Sequence, residues 1–153
     1  MKSHLVLVLI VLLTSLTACT EEEPIASADV NPEKPTVTVE SQITAALEAL
    51  LQRSLEEDDC FVTIEDRQTA VLVQFKGSKT EPLMLYLPSK PLSSEDAQRA
   101  EAFFADLGVS VGEEGAYQLD LGRDASRASE IALRVFREVY QLEGDLDLVL
   151  AEH

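Results

Sequence analysis

Two cysteines, two histidines and 28 carboxylates are the side chains of this 153-residue chain that could do chemistry. Cys60 is a potential thiol nucleophile, but a thiol needs a neighbouring base, usually histidine, to become reactive. The histidines are His4 and His153, near the two ends of the chain, so neither a Cys–His pair nor a Ser–His–Asp triad is expected. Cys60 stands beside Phe61, Val62 and Ile64 and reads as a small buried apolar group. No cluster of Cys and His has the spacing of a metal site. The run Glu56-Glu57-Asp58-Asp59 lacks the alternation and the turn glycine of a calcium loop. Gly77-Ser78-Lys79-Thr80 has the Lys-Thr end of a phosphate-binding loop, but Ser78 occupies the position where glycine precedes the lysine, and strand patterns flank the segment. It reads as a turn. No pair of carboxylates stands out for acid and base work. The expectation is a protein that is not an enzyme, with no metal and no cofactor.

The other cysteine has a different context. Lys2 gives a charged start, Leu5 to Leu13 is an unbroken apolar run, and Leu16-Thr17-Ala18-Cys19 follows. The run is shorter than the roughly 20 apolar residues a bilayer span needs, so it reads as a signal peptide. Leu16-Thr17-Ala18-Cys19 resembles the lipobox of bacterial lipoproteins. That resemblance implies cleavage between Ala18 and Cys19, and a lipid, including palmitate-type acyl groups, on Cys19. It also implies a cell-envelope location, and Thr20 in place of an aspartate directly after the cysteine implies the outer membrane, facing the periplasm, if the source is Gram-negative. With Cys19 lipidated, Cys60 has no partner for an intrachain disulfide.

Formal charge is −16, and it becomes more negative once Lys2 is removed. Such a chain is repelled by nucleic-acid phosphates, so no nucleic-acid partner is expected. The acids are spread along helix faces and loops and read as a solvated surface.

Three segments follow from these observations: a signal peptide over residues 1–18, a lipidated cysteine with a flexible linker over 19–40, and a domain over 41–153. The linker holds Glu21, Glu22, Glu23 and three prolines with almost no bulky apolar residue, a composition that cannot offset its ordering entropy. About 20 such residues reach roughly 25 Å.

Helical spacing begins at Ser41, a plausible N-cap, with Ile43, Ala46, Leu47, Leu50 and Leu51 on one stripe. Strand patterns cover Cys60 to Glu65, Thr69 to Lys76 and the stretch with Leu83, Leu85 and Leu87. Pro88 and Pro91 break the third strand. Ser93 or Ser94, with Glu95 and Asp96, starts a second helix that Gly108 ends. Val109 to Val111 reads as a short fourth strand, and Tyr117, Leu119 and Leu121 mark a fifth. Asp124 caps a last helix carrying Ala128, Ile131, Ala132, Val135, Val139 and Leu142. Leu133, Phe136 and Tyr140 widen its apolar stripe, and Gly144 ends it. Leu146, Leu148 and Leu150 form either a docking tail or a short strand. The expected fold is α+β, an antiparallel five-stranded sheet with three packed helices in the order α-β-β-β-α-β-β-α.

This order, with Val73-Gln74-Phe75, Phe104-Ala105-Asp106-Leu107-Gly108 and Leu133-Arg134-Val135-Phe136-Arg137-Glu138-Val139, resembles the bacterial TY-Chap group, which shares the fold of type III secretion chaperones. The resemblance implies binding of peptides or partner proteins, often as a homodimer, and no catalysis. The expectation is therefore a membrane-anchored, chaperone-like lipoprotein that binds a peptide or protein, with Leu133, Phe136 and Tyr140 as the candidate partner face. The alternative is a structural envelope lipoprotein that assembles with itself.

Overall fold

The computed structural model describes residues 37–54 and 61–152. Ala18 and Cys19, the acidic run Glu56 to Asp59, Cys60 and His153 lie outside the described residues.

Helix α1, Val39–Leu50, begins at Thr38 and not at Ser41. The Ser41 amide donates to Thr38 Oγ1 at 3.1 Å, and Ser41 Oγ donates back to the Thr38 carbonyl at 2.7 Å. Both residues suit the cap position, and Thr38 takes it because it carries the extended backbone that a cap requires. The domain thus starts inside the expected linker. Ile43, Leu47 and Leu50 are the buried stripe of α1.

Five strands form one antiparallel sheet: β1 Phe61–Asp66, β2 Leu72–Lys76, β3 Met84–Pro88, β4 Ala116–Asp120 and β5 Leu148–Glu152. Their spatial order is β4-β3-β2-β1-β5. Asp66 closes the β1–β2 turn, where one carboxylate oxygen accepts from the amides of Gln68 and Thr69 and from the Thr69 hydroxyl. Ala70 completes the turn at φ 58°, in the left-handed region. At the β2–β3 turn, Ser78 is buried and its hydroxyl accepts from the amides of Thr80 and Glu81. Gly77-Ser78-Lys79-Thr80 is therefore a side-chain-capped turn. Arg123 holds it in place, donating to the carbonyls of Ser78, Glu81 and Leu51.

Helix α2, Ser94–Asp106, is capped by Ser93, and α3, Ala125–Arg134, by Asp124. In each the cap side chain accepts from the amide three residues on. Beyond Arg134 the chain continues as a π turn over Val135–Val139, in which the Tyr140 amide donates to the Val135 carbonyl at 3.2 Å.

Two expectations need correction. Val109 to Val111 is loop: Gly108 ends α2 at φ 75°, and the chain then folds on itself through Gly112 N to Ala116 O and Gly115 N to Gly112 O. The fifth strand is instead the C-terminal Leu148–Glu152, whose Leu150 pairs with Ile64 and whose Ala151 pairs with Thr63. The architecture is α+β with five antiparallel strands and three helices, in the order α-β-β-β-α-β-α-β. A three-residue Val-Ser-Val stretch between two glycines cannot build a ladder, whereas the longer leucine alternation finds an open edge on β1.

Alternation divides the strands into two faces. Val62, Phe75, Leu85 and Leu119 are cross-strand neighbours in successive registers and point into the core, with Ile64, Val73 and Leu87 on the same side. The buried apolar residues of all three helices join that same cluster. The rings of Phe104 and Tyr117 stack at 4.5 Å and 9°, locking α2 to β4.

Candidate functional site

With the helices on one side of the sheet, the alternate residues of every strand face the other way. The registers bring Thr63, Gln74, Tyr86 and Gln118 into one row across β1, β2, β3 and β4. Phe61, Lys76, Met84 and Asp120 form the row beside it. A groove of about 420 Å³ runs over these rows, walled by Phe61, Met84 and Tyr86 and edged by Gln74, Lys76, Glu114 and Gln118. Gln74 Nε2 donates to Thr63 Oγ1 at 3.3 Å, and Gln118 Nε2 donates to Glu114 Oε2 at 3.2 Å. These bonds tie down the two amides whose residues flank Tyr86 in the row.

This arrangement has the chemistry of binding. An amide carries two donors and an acceptor, and a tyrosine offers a flat apolar surface with a polar tip. Together they can hold an extended polar segment by hydrogen bonds while covering its apolar parts. Among the described residues no His, Cys, Asp and Glu come together in a group that could hold a metal ion. No described helix is long and apolar enough to cross a membrane.

The residues expected to meet a partner are placed differently. Phe136 is 0% exposed and lies in the core, so it presents no surface to another molecule. Leu133 is half-buried against the core. Tyr140 is half-buried, with its hydroxyl on the Leu72 carbonyl at 3.1 Å. The wide apolar stripe of α3 is used up inside the domain: α3 packs against α1, and its π turn packs against α2. A helix lying between two others must be apolar on more than one side. Strand alternation points first to the buried positions and by itself does not single out Tyr86, Gln74 and Gln118. The positions between Leu85 and Leu87, or between Val73 and Phe75, carried the complementary signal.

No protein-family model, curated protein or solved structure matches this chain.

Proposed function

We propose that this chain is a membrane-tethered, non-catalytic binding module, which holds an extended segment of a partner protein on the open face of its sheet. The observation that carries the reading is Tyr86 standing between Gln74 and Gln118 on a sheet face that no described helix covers. An exposed sheet face with aromatic and amide side chains at strand spacing suits a chain that presents alternate side chains to it. The lipobox-like Leu16-Thr17-Ala18-Cys19 supports tethering, and the linker supports a domain held clear of the lipid. The TY-Chap resemblance also favours binding over catalysis. A charge of −16 favours a basic partner and opposes close contact between two copies of the chain.

The test places a photo-reactive amino acid at position 86 of the full-length protein in cells, with a second at the exposed position 130 on α3 as control. A cross-link to one envelope protein from position 86 and not from 130 is the expected result. Self-links alone, from both positions, would overturn the reading and point to self-assembly. The tether is tested separately by Cys19→Ser, which is expected to move the protein from the detergent phase to the aqueous phase.

A further inference from the structure

At the end of the sheet next to α2 a second cavity of about 300 Å³ opens beside the groove, and Gln74 lines both. Its apolar wall includes Val71, Pro91 and Leu92, and its polar groups are Gln74, Asp96 and Tyr140. That volume sits at the lower end of ligand pockets and suits a single side chain better than a cofactor. The pocket is formed where the backbone is unusual. Ala70, at φ 58°, precedes Val71, while Tyr140 ends the π turn and is followed by Gln141 at φ 55°. Left-handed non-glycine residues and π turns both concentrate at functional positions.

We propose that this pocket receives a primary alkylammonium group, the end of a lysine side chain belonging to the segment that lies on the open sheet face. The proposal rests on the sheet-face reading, because a segment lying along β2 passes Gln74 and reaches the pocket within two residues, about 7 Å of strand. A lysine fits both halves of the site. Its methylene stem covers apolar wall, and its three ammonium donors match the Asp96 carboxylate, the Gln74 amide oxygen and the Tyr140 hydroxyl oxygen.

The local charge is of the right sign. Asp96 accepts from Ser93 Oγ at 2.7 Å and from Arg99, and Arg99 also lies 4.0 Å from Glu95. Of the described residues that line the cavity, Asp96 is the one that carries a charge. A carboxylate has about four acceptor sites, so Asp96 keeps capacity beyond these two bonds. Tyr140 responds to the same field: its hydroxyl is pushed up to about 12 by burial and then by the negative charge of Asp96.

The probes are Nα-acetyl-lysine methylamide and its neutral counterpart, Nα-acetyl-norleucine methylamide, titrated into the ¹⁵N-labelled full chain in detergent. The lysine probe is expected to shift the amides of Val71, Gln74 and Leu92 saturably, with the norleucine probe at least about tenfold weaker, the size of one charge-assisted hydrogen bond. Asp96→Asn should erase that preference. Because Asp96 also sits in the first turn of α2, its fold is checked by circular dichroism. Leu92→Trp, which fills the cavity and leaves the carboxylate in place, should weaken both probes. Equal binding of the two probes, or shifts confined to other amides, would overturn the proposal. If the cross-link from position 86 persists in that case, the sheet-face reading survives without the pocket. If the cross-link is absent while the lysine probe still binds Val71, Gln74 and Leu92, the sheet-face reading falls and the ammonium chemistry of the pocket stands.

Discussion

Tyr140 donates its hydroxyl hydrogen to the backbone carbonyl of Leu72 over 3.1 Å, fastening the end of the last helix to the start of β2. The π turn puts the ring there: the Tyr140 amide bonds to Val135, five residues back, instead of to Phe136. Removing the hydroxyl leaves a part-buried carbonyl without this donor. Tyr140→Phe is expected to lower stability by about 1 kcal/mol at neutral pH, read as a shift in the urea midpoint. The same hydroxyl gives a pH signature. The Tyr140 hydroxyl titrates at about 12, raised first by burial and second by Asp96, whereas in the unfolded chain it titrates near the ordinary 10.0. Its folded value lies above its unfolded one, so its contribution is intact below about pH 10 and is lost as pH rises toward 12. Tyr140→Phe should unfold less steeply across that window.

Asp66 gives the opposite dependence. Its carboxyl is held below the ordinary 3.8, first by the hydrogen bond from the Thr69 hydroxyl and further by the amides of Thr69 and Gln68, against a penalty from burial. A lowered folded value means that the stabilisation is present at neutral pH and disappears as pH falls through the range below 3.8. Asp66→Asn keeps the shape of the turn but loses the charge that strengthens its hydrogen bonds. It should cost about 1–2 kcal/mol at pH 7. The difference from the unsubstituted protein should shrink in acid, as measured by urea titrations at pH 7 and pH 3.

The same turn holds Ala70 at φ 58°, a conformation that costs an L-residue roughly 1–2 kcal/mol. Glycine has no such cost, but it gives back part of the gain through the greater freedom of the unfolded chain. Ala70→Gly is therefore expected to raise stability by about 0.5–1 kcal/mol, visible as a higher melting temperature. A loss of stability would mean that the Ala70 methyl makes packing contacts worth more than the strain.

How far the chain could be read without coordinates follows from how local each signal is. Ser93, one of the two serines expected there, and Asp124 cap their helices, because a cap depends on residues three positions apart. The antiparallel sheet was also legible, since Val73 and Phe75, and Leu85 and Leu87, are buried and alternate with half-buried or exposed neighbours. The last strand was not fixed in the same way. Leu150 pairs with Ile64, far away in sequence, and local pattern cannot choose between Val109 and Leu148 when both begin apolar stretches. The π turn has no sequence signature, so the expected direction of Phe136 and Tyr140 followed a regular helix that ends at Arg134. The open sheet face was hidden for a related reason: alternation shows that a strand has two sides, and only the docking of the helices decides which one stays bare.

Phe136 and Tyr86 separate fold from binding. Phe136 is 0% exposed between the helices and the sheet, and truncating a buried phenylalanine to alanine costs about 3–5 kcal/mol by itself. Phe136→Asp adds a buried carboxylate without a partner. Against a total stability of about 5–15 kcal/mol, it is expected to abolish cooperative unfolding and the native circular dichroism spectrum. Any loss of binding in that variant reports the missing fold. Tyr86 instead stands half-buried on the open face, outside the core cluster. Tyr86→Ala should change stability by no more than about 1 kcal/mol while weakening partner capture at least tenfold, since buried aromatics carry a large share of interface energy. Unchanged capture by a well-folded Tyr86→Ala protein would remove the groove between Gln74 and Gln118 from the binding surface.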